Sequence, residues 1–319
     1  MARRKIINAP LRRGLPTGNP PSMESEGVRF PVLISYAYLR DLPEEQKQYF
    51  LKDAKKDGFD IFLDSGAFSA ANAGKEILLD EYIKFLHQYE KSFFGYVMLD
   101  KLGCPETSQR NLDTMYSEGL SPVPVHVLGD NAKRMDELFE RAHWVCCGGF
   151  RLPGKGHNSK EYVVEKMRWA KGRHVHWLGY TNKVMTRALT PYSVDSSNIT
   201  ASDRYGMTDI YLGSGKMFGF HRTKRRQNFP LKVQRAIQRF GYEVKDIQVN
   251  SAWGRSGDEN TYDPPARMLH YLSHVYYTLD VRQKFGTRVF TAIGDKKSLD
   301  LVKVGFDRWK AEQEKKGRS

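Results

Sequence analysis

Cysteine is scarce in this 319-residue chain, which has only Cys104, Cys146 and Cys147. Neighbouring cysteines bridge each other only under strain, so no disulfide framework is expected and a reducing compartment fits best. There is also no apolar run approaching the ~18 residues that a membrane-spanning helix needs. The first 25 residues carry Arg3, Arg4, Arg12 and Arg13 but no apolar core of the kind a secretory signal requires. Pro10, Pro16, Pro20 and Pro21 spoil the amphipathic helix of an organellar transit peptide. A soluble, cytoplasmic protein is therefore expected. Acidic residues are the other shortage, with 37 Asp and Glu against 51 Lys and Arg, a net charge of +14. Such an imbalance favours a polyanionic partner, because each neutralised phosphate releases counterions.

Hydrophobic residues make up 40% and aromatics 12% of the chain, enough for a core without metal or disulfide. Residues 1–27 read as a flexible basic arm rich in Pro and Gly, and 28–319 as a single domain. In that domain short apolar runs alternate with longer amphipathic stretches. The runs are Val32–Tyr36, Ile61–Leu63, Tyr96–Leu99, Val123–Val127, Trp144–Cys147, Val175–Leu178 and Tyr192–Val194, with Arg288–Ile293 as an eighth. Helices are predicted over Pro43–Lys56, Leu79–Tyr89, Glu106–Glu118, Ala132–Arg141 and Ser159–Lys171, and near the C-terminus over Lys303–Arg318. The alternation implies right-handed βαβ units and an α/β fold, a (β/α)₈ TIM-type barrel. An open doubly wound sheet is the alternative, weakened because no GxGxxG follows the first strand.

The stretch 200–257 breaks the rhythm and reads as a basic insertion. Lys216, Arg222, Lys224, Arg225, Arg226 and Arg235 are its candidate nucleic-acid contacts. Tyr211, Phe218, Phe220 and Phe229 interleave with them, a mixture suited to phosphate contact plus base stacking; a solvated charged face is the plainer reading.

Polar residues cluster where the predicted strands end. Ile61–Leu63 runs into Asp64-Ser65-Gly66-Ala67-Phe68-Ser69, and Tyr96–Leu99 ends at Asp100. Val123–Val125 meets His126, Trp144–Cys147 meets Gly148-Gly149-Phe150, Leu178 precedes Gly179, and Val194 precedes Asp195. In a barrel these ends converge on the C-terminal mouth, where active sites lie. One acid at a strand end is often a helix N-cap, but three carboxylates at one mouth are costly to bury without a use.

Asp-Ser-Gly-Ala-Phe-Ser at 64–69 resembles the Asp-Ser-Gly-Gly-Phe-Gln motif of tRNA-guanine transglycosylases. The acid Asp100, the pair Gly148-Gly149, the dipeptide Leu178-Gly179 and Val194-Asp195-Ser196 follow in that family's order, over roughly residues 30–200. The resemblance implies a TIM barrel in which Asp195 attacks C1′ of a guanosine sugar and expels guanine from a covalent glycosyl-enzyme. It also implies that Asp64 handles the proton of the leaving and entering bases and that Asp100 accepts hydrogen bonds from the guanine edge. Ser65, Gly66, Phe68 and His126 would line the base pocket, with Phe68 and Phe150 as stacking candidates. Gly148 and Gly149 would offer backbone N–H groups to the purine carbonyl, and Leu178 and Gly179 would form the pocket floor.

Two departures stand out. Family members acting on tRNA usually hold zinc through Cys-x-Cys-x-x-Cys and a later His, whereas no cysteine here follows Cys147, so no metal is expected. Cys146 and Cys147, as strand neighbours, would point to opposite faces. His126 also stands where the family often has Gln. A shorter, zinc-free, basic relative is similar to the DpdA-type enzymes of phages and bacteria, which install a 7-deazaguanine base in DNA. The expected partners are accordingly DNA, or tRNA as the alternative, and a free 7-deazaguanine base as co-substrate without further cofactor. A phage-encoded chain would work in the host cytoplasm, and a homodimer is compatible with the sequence. A catalytically silent nucleic-acid-binding barrel and a base-hydrolysing glycosidase are the competing readings.

Overall fold

The computed structural model describes residues 27–101, 103–149, 159–253 and 264–317. The expected N-terminal arm up to residue 26 and Phe150 lie outside them. Among the described residues ten strands occur in chain order. They are β1 (Phe30–Ser35), β2 (Phe59–Asp64), β3 (Gly95–Tyr96), β4 (Val125–His126), β5 (Trp144–Cys147), β6 (His174–Trp177), β7 (Ser193–Ser196), β8 (Met207–Gly213), β9 (Lys216–His221) and β10 (Arg288–Ala292).

Eight strands form one all-parallel sheet in the order β3-β2-β1-β10-β7-β6-β5-β4. Its two ends meet. Val97, just past β3, bridges Val123, just before β4; Met98 N–H donates to Val123 O at 3.0 Å and Val123 N–H to Tyr96 O at 2.8 Å. The sheet is thus the expected (β/α)₈ barrel. Its strands read as apolar runs because they are covered on both sides, as in β1, where all six residues are buried. Phe62 packs against Trp144, His176 and Phe290, with ring centroids 4.8, 5.0 and 5.1 Å away. The barrel interior is therefore filled with aromatic rings, and polar chemistry is left to the strand ends.

The helix predicted over Leu79–Tyr89 forms over those residues, with Tyr82, Ile83 and Leu86 buried. The helix predicted from Lys303 instead begins at Lys296, where Ser298 N–H donates to Asp295 Oδ1 at 2.7 Å. That N-cap extends the helix by two turns.

The stretch between β7 and β10 contains the antiparallel β8–β9 hairpin, the helices Leu231–Arg239 and Val244–Gln248, and a 21-residue helix, Pro265–Phe285. This last helix was not among the predicted elements. It lies between β10, the C-terminal helix and β8, and nearly every residue from Ala266 to Arg282 is buried. A helix covered all round carries no apolar stripe, so its periodicity is silent.

Candidate active site

Asp64 ends β2, and Asp195 lies within β7 opposite Phe290 of β10. With Asp100, which follows the third barrel strand, they gather at the C-terminal mouth. Burial pushes the Asp64 carboxyl up to about 7, and the charges of Asp195 and Asp100 push in the same direction. The Gly66 N–H, donating to Asp64 Oδ2 at 3.0 Å, opposes that rise. Burial alone raises Asp100 to about 6, against hydrogen bonds from its own backbone and from Ser65. Both acids are thus shifted toward neutrality, where a carboxyl can exchange a proton with a ligand.

Asp195 is held through a single oxygen. Its Oδ1 accepts the Gly179 N–H at 2.7 Å and lies 3.2 Å from His176 Nε2. Among the described residues no hydrogen bond reaches Oδ2. Gly179, expected in the pocket floor, turns at φ +66° and aims its N–H at Asp195. Sequence reasoning assigned no role to His176. The available signal was its place in a strand beside Ser193, the residue it meets in register.

The 64–69 motif forms a tight turn. Gly66 has φ +81°, and a Cβ there would sit 2.6 Å from both Ser35 Oγ and Ala37 Cβ, so only glycine fits. Ser65 is buried and its Oγ accepts the Ala67 N–H at 3.4 Å. Phe68 follows on a short helix and is 46% exposed, open to a ligand at the mouth. Leu178 is half-buried. Gly149 has φ +90°, and a Cβ there would lie 2.9 Å from Leu128 Cβ.

Other expectations are corrected. The Gly148 N–H donates to His126 O at 3.2 Å within the sheet, so it is not offered to a purine carbonyl. A Cβ at Gly148 would make only ordinary contacts, 3.5 Å to Val125 Cγ1 and 3.8 Å to Leu178 Cδ1. His126 does not line the pocket. Its Nδ1 accepts from buried Lys166 Nζ at 3.0 Å, and its Nε2 lies 3.0 Å from Asn131 O. Lys166 also sits 4.4 Å from the Trp169 ring, on the helix Ser159–Ala170. His126 therefore belongs to the layer between barrel and helices. Burial and the lysine charge hold its pKa down at about 4, and burial lowers Lys166 to about 8. The cysteines do diverge. Burial raises both thiols, but the charges acting on Cys146 include Asp195, Asp64 and Asp100, whereas those on Cys147 are Lys166 and Asp130.

The basic insertion divides by position. Helix Pro265–Phe285 leads into β10, so it runs from the mouth to the opposite rim. Thr208 bonds to Ala266 O near the start of that helix, and Gly215 N–H bonds to Asp280 fourteen residues on, roughly 20 Å away. Lys216 at the hairpin turn, expected as a nucleic-acid contact, therefore lies toward the far rim, away from the mouth. Arg222, whose N–H donates to Gly206 O at 2.8 Å, returns to the mouth side with exposed Lys224 and Arg226. Arg225 is half-buried and donates to Asn250 Oδ1 and Arg222 O. Arg235 is exposed on a helix that buries Val233, Ala236 and Ile237. Three of the four interleaved aromatics are withdrawn from any stacking role. Tyr211, Phe220 and Phe229 are buried, and Phe220 packs on Phe229 and Trp253 with centroids 4.9 and 5.6 Å away. They form a small core of the insertion.

A cluster that no cysteine spacing could reveal joins the insertion to the barrel. Asp209 of β8 meets His270 and His274, one turn apart on helix Pro265–Phe285, within a metal-ligand span of 4.8 Å. The donor set suits a divalent cation, but His270, Asp209 Oδ2 and His274 Nε2 are already engaged with one another and with neighbours. His270 Nδ1 accepts the Asp209 N–H at 2.9 Å, and its Nε2 lies 2.9 Å from Asn198 O. Asp209 Oδ2 faces His274 Nε2 at 3.1 Å and Lys183 Nζ at 3.4 Å. With a lysine in the remaining position, the arrangement is a hydrogen-bonded clamp.

No family model and no curated protein matches the chain. Among solved structures it is similar to a chain from Aquifex aeolicus VF5, described only as a structural study. The identity is 16% over 51% of this chain and 81% of that one, with a TM-score of 0.31, a likeness that carries no argument. Among the described residues no helix is long and apolar enough to cross a membrane.

Proposed function

We propose that this chain is a DNA-guanine transglycosylase, exchanging guanine for a 7-deazaguanine base through a covalent intermediate on Asp195. The observation that carries the reading is the pairing at the mouth of an aspartate held by one oxygen with a second carboxyl poised near neutrality. Asp195 Oδ2 attacks C1′ as the C1′–N9 bond breaks, and protonated Asp64 gives its proton to the departing guanine. The carboxylate left on Asp64 then takes the N9 proton of the incoming base, N9 attacks C1′, and Asp195 departs unchanged. Ionised Asp100 accepts from the N1–H and amino group of the base, while exposed Phe68 offers a stacking face. Exposed Arg222, Lys224 and Arg226 on the mouth side suit a phosphate backbone. The target guanine must leave the stack to reach the mouth, at a cost of a few kcal/mol in a duplex.

Labelled guanine offered with duplex DNA, single-stranded DNA and tRNA tests the proposal, because guanine exchange does not depend on the identity of the natural incoming base. Label entering DNA supports it, and label entering tRNA alone transfers the reading to tRNA. Release of guanine leaving abasic sites would replace exchange with hydrolysis, and no label or release in any substrate contradicts the enzyme reading.

A further inference from the structure

We propose that His176 and Ser193 are positioning residues that pin Asp195 by one oxygen and leave the other to react. The inference rests on the reading of Asp195 as nucleophile. Three observations support it. His176 and Ser193 are both fully buried and face each other in register across β6 and β7. Ser193 Oγ lies 2.8 Å from His176 Nδ1, and His176 Nε2 lies 3.2 Å from Asp195 Oδ1. The same Oδ1 takes the Gly179 N–H from the loop after β6.

An ionised carboxylate only accepts, so the hydrogen on the imidazole belongs on Nε2. The neutral ring then has a lone pair on Nδ1, and the Ser193 hydroxyl donates to it. Ser193 thereby selects the tautomer that His176 needs. Phe62, Trp144 and Phe290 surround the ring edge-on, with centroids 5.0 to 6.2 Å away, and fix its plane. Two donors converging on Oδ1, the His176 ring and the backbone N–H three residues on, prevent the carboxylate from exchanging its oxygens by rotation. Oδ2 keeps its lone pairs, which form the bond to C1′. Oδ1 becomes the carbonyl oxygen of the glycosyl ester, and the same two donors await the charge that returns to it when the ester breaks.

The test uses the full chain with guanine-bearing DNA. His176→Leu is expected to slow covalent capture about 100-fold, the usual effect of losing one such donor, with guanine affinity within about twofold of wild type. His176→Gln, which restores an N–H directed at Oδ1, is expected to recover most of that loss, and Ser193→Ala to slow capture about tenfold. His176→Leu capturing at the wild-type rate would overturn the inference, as would equal losses in capture and guanine binding. If the wild type captures no nucleic acid, the functional reading falls, and the ring itself still answers. Nitrogen-15 spectra of the folded protein should show His176 protonated on Nε2 alone, with that preference relaxed in Ser193→Ala. An Nδ1-protonated His176 would refute the relay.

Discussion

Asp195 and Asp209 both lie within hydrogen-bonding distance of a buried histidine, His176 in the barrel interior and His274 outside it. Their surroundings differ in the sign of nearby charge. Asp209 faces the Lys183 ammonium and His274, which hold its carboxyl well below the usual range despite burial. Among the described residues Asp195 has no lysine or arginine as a hydrogen-bond partner, and it shares the mouth with Asp64, whose protonation it favours. A compensated carboxylate locks two elements together, whereas an acid facing other acids raises its neighbour's hold on a proton. Aspartate–histidine contact alone does not mark a catalytic site; the partners left over decide.

This contrast breaks if the two aspartates respond alike to substitution. Asp209→Ala leaves Lys183 without its counter-charge and His274 without its hydrogen-bond partner, and is expected to cost about 3 kcal/mol of stability, read from urea midpoints. Asp195→Asn, whose amide oxygen can still take the Gly179 N–H, should cost under about 1 kcal/mol. Equal destabilisation would mean that Asp195 is a structural residue.

The pH dependence sharpens the same contrast. Asp64 rises from an ordinary 3.8 to about 7 on folding, so the folded chain binds its proton more tightly than the unfolded one. That stabilisation is complete below about pH 4 and is lost as the pH climbs through 7. Asp64→Asn should therefore match wild type near pH 4 and exceed it at pH 8, by on the order of 4 kcal/mol. Asp209, lowered on folding, has the opposite sign, its contribution fading as acid is added. An Asp64→Asn difference that does not change between pH 4 and pH 8 would remove the case for a shifted acid.

The smallest effect concerns the insertion. Replacing Arg222 and Arg226 by Ala should weaken DNA binding and flatten its salt slope by up to about two charges, leaving base choice intact. Lys216→Ala, at the far rim, should change neither. A larger effect at Lys216 would reverse the placement of the nucleic-acid face.

The barrel was legible because strands covered on both faces leave bare apolar runs, and strand ends leave acids at known positions. Asp64, Asp100 and Asp195 were found in this way. His126 was misplaced because a strand end does not reveal which face a side chain takes, and Lys166 drew it outward. The aromatics of 200–257 looked like stacking groups because sequence cannot show that Phe220, Phe229 and Trp253 bury one another. His176 and helix Pro265–Phe285 escaped for a shared reason: both depend on partners distant in the chain, Asp195 for one and the insertion for the other.

The central claim is that Asp195 bonds covalently to a nucleic-acid sugar. The most direct measurement is peptide mapping of the protein trapped on guanine-bearing DNA under denaturing conditions, with Asp195→Asn alongside. The account predicts one adduct, on the peptide containing Asp195, absent from the variant. An adduct that persists in Asp195→Asn, or maps to Asp64 or Asp100, would contradict it.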